Sequence, residues 1–365
     1  MKVLIAGGGT GGHLFPGIAL ASDIKEKYSE AQILFVGTEK GLEAKVIPKT
    51  GYELKFISAR GFIGKSLNEK IDSVWRLLCS LKESRRIINS LSPDIVFGVG
   101  GYASFPCVLV ASFKKIPTVI LEQNTVPGLA NKILANFVTA IAIAYPETIE
   151  YFPKDKVYLT GTPVRREILS GNRKKALKLF NLDEGRLTLL IFGGSSGARK
   201  INKAAVEGLS YLLPLKDSIQ IVHQTGESDY GWVSNEYKNF PFKVTVLPFI
   251  YEMAEAYSVA DLIVCRAGAS TVAEITALGK ASILIPYPYA AYNHQEMNAR
   301  RLLSRGACEM ILDRELNGEV LAKKIIKILS EPNIKKEMEM ASCAFGKVNA
   351  GEKIIEIAES LMRRK

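Results

Sequence analysis

No run of 18 or more apolar residues occurs in this 365-residue chain, so nothing in it is long enough to cross a bilayer as a helix. The opening run Val3-Leu4-Ile5-Ala6 meets Gly7-Gly8-Gly9 at once. That is too short for a signal peptide and predicts a chain that stays in the cytoplasm. The five cysteines (Cys79, Cys107, Cys265, Cys308, Cys343) form no Cys-x-x-Cys pair, which argues against a disulfide framework or a zinc set and for reduced packing residues. Asp-x-Asp, a common way to hold a metal-bound diphosphate, is missing, and no metal or other cofactor is expected. Only three histidines exist (His13, His223, His294), so imidazole proton transfer has few candidates. There is no RNP signature, zinc-finger spacing or basic–aromatic array, which excludes nucleic acid as the expected partner. What is abundant is positive charge: 48 Lys and Arg against 37 Asp and Glu, a net +11. The remaining anionic partners are a phosphorylated ligand or an acidic lipid surface. With 47% hydrophobic residues over 365 positions, the chain has room for about two domains.

Glycine marks where ligands approach. Lys2 to Ala6 reads as a strand, Gly7 to His13 as a loop, and a helix is expected from about Phe15 to Tyr28. Gly7, Gly9 and Gly12 satisfy G-x-G-x-x-G in a strand–turn–helix setting, and the next strand, Gln32 to Val36, ends at Gly37-Thr38-Glu39. A dinucleotide-binding oxidoreductase fits at this point, although any close strand–helix turn over a phosphate selects the same glycines. Strands at Asp94–Gly98, Pro117–Leu121 and Thr139–Ala142 follow, the first two leading into Gly100-Gly101-Tyr102 and Glu122-Gln123-Asn124. The pattern then restarts: Leu187 to Phe192 is a strand, Gly193-Gly194-Ser195-Ser196-Gly197 a second glycine loop, and a helix begins near Ile201. Strands at Ile219–His223, Val244–Leu247, Leu262–Cys265 and Ser282–Ile285 complete a second α/β set. Two Rossmann-like domains with parallel sheets are expected, residues 1–163 and 164–345, with a C-terminal helix at about 346–365 packing back on the first.

The stretch Ala260 to Gly279 anchors the second set. A buried strand (Leu262–Cys265) runs through the small residues Ala267-Gly268-Ala269 into a helix expected from Thr271 to Leu278. Free amides at the helix start, with the Ser270 and Thr271 hydroxyls, would favour an anion. Glu274, one turn further, could take ribose hydroxyls, yet Thr271-x-x-Glu274 is equally a capping box that needs no ligand.

Arg60 to Arg86 has a different character. Ser66-x-x-Glu69 is a capping-box start, and Leu67, Ile71, Val74, Leu78 and Leu81 form a helical stripe expected to face the core. Phe62, Ile63, Trp75 and Leu77 alternate with Arg60, Lys65, Lys70, Arg76, Lys82, Arg85 and Arg86, a mixture suited to an anionic membrane interface or to a basic helix packed on its own domain.

Taken in order, Gly8-Gly9-Thr10-Gly11-Gly12-His13-Leu14-Phe15-Pro16-Gly17, Gly100-Gly101-Tyr102, Glu122-Gln123-Asn124, Gly193-Gly194-Ser195-x-Gly197, Arg266-x-Gly268-Ala269-x-Thr271-Val272-x-Glu274 and Gln295 resemble glycosyltransferase family 28, in particular its bacterial cell-wall N-acetylglucosaminyltransferases. The resemblance covers nearly the whole chain. It implies a GT-B fold, two facing Rossmann-like domains with the ligand cleft between them. It also implies metal-independent, inverting transfer of GlcNAc from UDP-GlcNAc to the muramoyl sugar of lipid I, the undecaprenyl-diphospho-muramoyl-pentapeptide, at the cytoplasmic face of the cell membrane. By the same resemblance, Ser195 and the helix start Ala269, Ser270, Thr271, Val272 and Ala273 take the donor diphosphate and Glu274 the ribose. The Ile250 backbone reads uracil, Arg165 lies on the donor site, and Gln295 addresses the GlcNAc hydroxyls. Thr10, Gly11, Gly12 and Asn124 reach the donor sugar, while Gly100, Gly101 and Tyr102 belong to the acceptor side. Arg266 could help the glycine-rich helix starts to stabilise departing UDP.

Inversion needs a base for the acceptor hydroxyl. His13 is the first candidate and Glu122 its competitor; His13 could instead cap a helix or bind phosphate, and Glu122 could simply orient loop amides. Two departures from the family pattern stand out: Thr162 where Asn is expected, and a Tyr- and Ala-rich segment Pro286–Asn293. A UDP-GlcNAc 2-epimerase-like enzyme and a non-catalytic UDP-sugar-binding protein are the other readings of the same fold.

Overall fold

A computed structural model of the chain describes residues 1–59, 67–194 and 196–363, and only the backbone of residues 67–74. It divides into two compact units: Met1–Arg165 together with Lys347–Lys365, and Arg166–Gly346.

The first unit holds seven strands: β1 (Lys2–Gly7), β2 (Gln32–Gly37), β3 (Glu53–Phe56), β4 (Ile95–Gly100), β5 (Thr118–Glu122), β6 (Ala140–Ile143) and β7 (Val157–Leu159). They form one parallel sheet in the order β3-β2-β1-β4-β5-β6-β7. The central strands are apolar without alternation because both faces are covered. Val3 and Ile5 point into a cluster with Leu20 and Ile24 of the helix Gly11–Lys27. Leu4 and Ala6 point the other way, into a cluster with Ile88, Cys107 and Val108 from the helices Leu67–Leu91 and Ser104–Phe113. The C-terminal helix Ala350–Arg363 contributes Ile354, Ile355 and Leu361 to the first of these clusters. Each of those three burials contributes about 1.5–3 kcal/mol. Gly351, in the first turn of that helix, has no room for a side chain: a Cβ there would lie 1.7 Å from Asp23 Oδ2.

The second unit repeats the plan with β8 (Leu187–Phe192), β9 (Ile219–Gln224), β10 (Lys243–Leu247), β11 (Ala260–Cys265), β12 (Ser282–Leu284) and β13 (Glu309–Met310). Its parallel order is β10-β9-β8-β11-β12-β13. In each sheet the order reverses beside the first strand, between β1 and β4 and between β8 and β11. At such a switch point the loops diverge and open a place for a ligand beyond the strand C-termini. The short edge strands β3 and β13 carry no apolar run and β7 only Val157-Tyr158-Leu159, and all three escaped the sequence pattern.

The helical stripe expected to face the core is only partly so placed. Leu78 is 55% exposed and Trp75 67% exposed, whereas Ser80, Ser84, Ile88 and Leu91 form the buried side of the helix. Ser84 Oγ lies 3.3 Å from Cys107 Sγ, so small residues let this helix and Ser104–Phe113 approach closely. A hydrophobicity pattern cannot register that, because it counts serine as polar. Residues 60–66 and the side chains of Leu67, Glu69, Lys70, Ile71 and Val74 lie outside the described residues.

Candidate functional site

In the first unit the helix starts at Gly11, four residues before the expected Phe15, with Thr10 at its N-cap and no side-chain cap bond. Gly11, Gly12 and His13 are therefore the first helical turn rather than loop. The amides of His13 and Leu14 both donate to Thr10 O, at 3.2 and 3.1 Å. The loops after β1 and β4 interlock. Gly8 N donates to Gly100 O at 3.2 Å. A Cβ on Gly101 (φ +80°) would stand 2.3 Å from Gly8 O, and one on Gly100 (φ +99°) would stand 2.3 Å from His13 Nδ1. Both positions combine a left-handed backbone with direct contact, so only glycine fits. The His13 imidazole thus lies against the Gly100 backbone, and Tyr102 beside it is 55% exposed.

Glu122 closes the same edge from β5. Its carboxylate is buried and receives four hydrogen bonds: Asn124 N (3.0 Å) and Asn124 Nδ2 (3.1 Å) on Oε1, Gly128 N (3.1 Å) and Asn131 Nδ2 (2.9 Å) on Oε2. Burial pushes its pKa up, and the donors from Asn131, Asn124 and Gly128 pull against that. Gln123, which the sequence reading passed over, donates through Nε2 to Val99 O at 3.0 Å and so ties the β5 loop to the β4 loop. Arg165, the last residue before the second unit, lays its guanidinium over the Phe15 ring at 4.4 Å.

In the second unit the helix Ala269–Ala277 begins two residues earlier than expected, with Gly268 as N-cap and no side-chain cap bond. Thr271 is therefore the third helical residue rather than the cap. The capping-box reading of Thr271 and Glu274 does not hold, because that motif needs Thr at the N-cap and Glu three places on. Ala269, Ser270 and Thr271 make the first turn, where amides lack intrahelical acceptors. Val272 and Ala273 follow, and Glu274 is 7% exposed. Glu274 Oε2 accepts from the hydroxyl of Tyr257 at 2.9 Å. Tyr257 is fully buried, with its ring edge-on to Phe192 at 6.1 Å, at the end of β8. No sequence signal singles out Tyr257; the link spans 17 residues and two elements.

Arg266 is placed differently from expectation. Its Nη1 donates to Asp313 Oδ1 (2.7 Å), Ile285 O (3.2 Å) and Pro286 O (3.1 Å), and its plane lies 5.6 Å from the Tyr287 ring centroid. The guanidinium braces the segment after β12 and shares Asp313 with Lys200, whose Nζ lies 3.3 Å from Asp313 Oδ2. In that segment Gln295 Oε1 accepts from Tyr287 N at 3.0 Å, and His294 Nδ1 donates to Ala291 O at 2.7 Å. Ile250 is buried just beyond β10. Ser195 lies outside the described residues, but Gly194 beside it accepts from Gln224 Nε2 at 2.8 Å.

His223 is structural. Asn202 Nδ2 donates to Thr225 O and Asp229 Oδ2, both at 2.9 Å, which leaves Asn202 Oδ1 to accept from His223 Nε2 at 3.1 Å. Nδ1 must then accept from the Tyr237 hydroxyl at 3.0 Å, so the ring is the neutral Nε2–H tautomer. Burial holds its pKa down at about 3, against the opposing pull of Asp229. In the unfolded chain the ring titrates near ~6.5, so protons bind there first and stability falls as pH drops below that value. Between pH 6.5 and 5 the expected loss is about 1.6 kcal/mol. Urea midpoints at the two pH values should diverge less in His223→Gln than in the parent; equal divergence would remove this residue as the cause.

Two parallel α/β units, each with a glycine-lined switch point, give the chain the two-domain α/β fold of the GT-B class. The chain belongs to glycosyltransferase family 28: residues 3–143 match that family's N-terminal domain and residues 188–357 its C-terminal domain. It is 76% identical, over the whole of both chains, to the UDP-N-acetylglucosamine--N-acetylmuramyl-(pentapeptide) pyrophosphoryl-undecaprenol N-acetylglucosamine transferase of Thermodesulfovibrio yellowstonii. The crystal structure of Acinetobacter baumannii MurG superposes with a TM-score of 0.77 at 29% identity, covering 98% of this chain and 99% of that one. A UDP-GlcNAc 2-epimerase from Neisseria meningitidis also superposes, with a TM-score of 0.70, covering 98% of this chain and 99% of that one. At 13% identity that likeness shows the fold alone.

Proposed function

We propose that this chain transfers GlcNAc from UDP-GlcNAc to the muramoyl sugar of lipid I, forming the disaccharide lipid precursor of peptidoglycan. The observation that carries this reading is the 76% identity, end to end, with a transferase named for that reaction. The oxidoreductase, epimerase and binding-protein readings have no comparable support.

In this reading the second unit takes the donor. The first-turn amides of Ala269, Ser270 and Thr271, with Val272 and Ala273 behind them and Ser195 on the glycine loop, receive the diphosphate. Glu274, oriented by Tyr257, accepts from the ribose hydroxyls; the Ile250 backbone meets uracil, and Gln295 the GlcNAc hydroxyls. The first unit takes the acceptor through Gly100, Gly101 and Tyr102, with Thr10, Gly11, Gly12, Asn124 and Arg165 directed to the donor sugar. The acceptor hydroxyl oxygen forms a bond to the anomeric carbon while the bond to the UDP oxygen breaks on the opposite face. The hydroxyl proton passes to His13, and the charge arriving on UDP is met by helix-start amides, without a metal. Glu122, already holding four donors, serves as the brace of the Asn124 loop.

Glu274→Ala is expected to raise the donor KM by about 10- to 100-fold, the scale of one or two lost charge-assisted hydrogen bonds, with a smaller change in turnover. An unchanged donor dependence in steady-state kinetics would remove Glu274 from the ribose site.

The membrane-facing surface lies on the first unit. Trp75, Leu78, Phe113 (71% exposed) and Phe137 (44% exposed) are open, the two phenylalanine rings stack edge-on at 5.8 Å, and Lys82, Arg85, Arg86, Lys114 and Lys115 lie on the same or adjoining segments. Apolar rings set among cations suit an anionic lipid interface. Among the described residues no helix is long and apolar enough to cross a membrane.

The test is transfer of radiolabelled GlcNAc to a lipid I analogue with EDTA present, the acceptor carried in anionic or in zwitterionic vesicles. Acceptor-dependent, EDTA-resistant product, made faster on anionic vesicles, is expected. UDP release that ignores the acceptor would overturn the acceptor assignment. Equal rates on both vesicles would overturn the lipid surface.

A further inference from the structure

One fully buried carboxylate plays no part in the chemistry above. Glu43, in the short helix Glu43–Val46, has no exposed surface. Its Oε2 accepts from Gly9 N at 2.7 Å, and its Oε1 accepts from Thr38 N at 2.8 Å and Thr38 Oγ1 at 2.9 Å. All three donors are neutral, and no cation among the described residues pairs with it. Three glycines from two segments, Gly8 just after β1, Gly37 ending β2 and Gly41 following it, enclose it. A Cβ at Gly8 would meet its Cδ at 2.4 Å, one at Gly37 its Cγ at 2.3 Å, and one at Gly41 its oxygens at 2.2 Å. Removing a carboxylate from water without a counter-ion is costly, and a surface loop could be closed by cheaper means. What Glu43 does achieve is specific. It holds the Gly9 amide inward, which fixes the Gly8–Gly9 peptide plane just ahead of the Thr10 cap and so biases the direction in which Gly11, Gly12 and His13 begin their helix.

We propose that Glu43 is a positioning residue for the first glycine loop, acting on the acceptor and the proton through Gly9 and His13 without touching either. The inference rests on the reading of His13, at the end of that loop, as the base that meets the acceptor hydroxyl. Glu43→Gln tests it, because glutamine keeps the volume but replaces one acceptor oxygen by an NH₂. In either orientation the NH₂ faces a backbone N–H, at Gly9 or at Thr38, donor against donor.

Two readouts are taken on the full-length protein. In kinetics, turnover should fall by at least about tenfold and the KM for the lipid acceptor analogue should rise, as a sub-ångström displacement of a reacting group implies. Inhibition by UDP alone, which lacks the sugar assigned to Thr10, Gly11 and Gly12, should change by less than about twofold, since the nucleotide site is assigned to the other unit. In hydrogen exchange, the segment from Gly7 to Leu14 should exchange about tenfold faster while β5 and β6 are unchanged, as expected for a local opening. Glu43→Asp, which keeps both acceptors on a shorter stem, should recover part of the turnover and serves the same comparison if the glutamine variant does not fold. Unchanged kinetics and exchange would overturn the proposal. So would a loss of rate that merely follows the folded fraction with the acceptor KM unaltered. A parent enzyme that makes no acceptor-dependent product, yet shows the exchange difference, would instead sink the acceptor reading and leave the positioning contact standing.

Discussion

His13→Ala is expected to lower turnover by about 10²- to 10⁴-fold while leaving UDP affinity unchanged. The size follows from the loss of a positioned general base. The selectivity follows from the division of labour, because every residue assigned to the nucleotide itself belongs to the second unit. The imidazole is well placed for the role. It stands on the first turn of a helix and rests against Gly100, whose lack of a side chain leaves room for it. Added imidazole should restore part of the rate if the lost function is proton transfer. A helix-capping or phosphate-binding role would leave such rescue absent and would show in stability or in acceptor KM. Full activity in the variant removes His13 from the role of base.

The second large effect is expected at Glu122. Glu122→Ala strips the acceptor from four donors at once, Asn124 N, Asn124 Nδ2, Gly128 N and Asn131 Nδ2. The cost is roughly 3–5 kcal/mol, after allowing for water that enters the space. Against a total stability of about 5–15 kcal/mol, that is a large share of the margin, and at the low end of the range it leaves a sizeable unfolded fraction. Glu122→Gln is the informative variant, for it keeps the volume and turns one oxygen into a donor facing other donors, a cost of about 1–3 kcal/mol. A brace predicts a lower urea midpoint, with turnover following the folded fraction. A base predicts turnover down a hundredfold or more in the fraction that remains folded. That second result would return Glu122 to the role assigned here to His13.

Much of this was legible in the amino-acid order. Strands buried on both faces must be apolar throughout, so β1, β4, β5, β6, β8 and β11 stood out as short uninterrupted runs. The glycine loops stood out because close backbone approach admits no other residue, and their order along the chain carried the family. The boundaries were less legible. Both glycine-led helices start earlier than the apolar pattern suggests, because a first turn is set by backbone amides and carbonyls rather than by side-chain hydrophobicity.

What only the tertiary structure decided is which group meets which. Gly9 and Glu43 are 34 residues apart, and their contact exists because β1 and β2 are neighbours in the sheet. Likewise His13 meets Gly100 because β4, not β3, lies on the other side of β1. Thr271 and Glu274 fit a capping box by spacing, until a Tyr257 hydroxyl brought in from another helix and a cap at Gly268 showed Glu274 to be held from elsewhere. Arg266 read as a cation available for phosphate, until Asp313 and two carbonyls surrounded it. The reason is common to all four. Secondary structure and glycine placement are dictated by forces acting within a few residues, which a sequence displays directly. The partners of a carboxylate, an imidazole or a guanidinium are set by strand order and by main-chain atoms, which every residue carries alike and no one-letter code distinguishes.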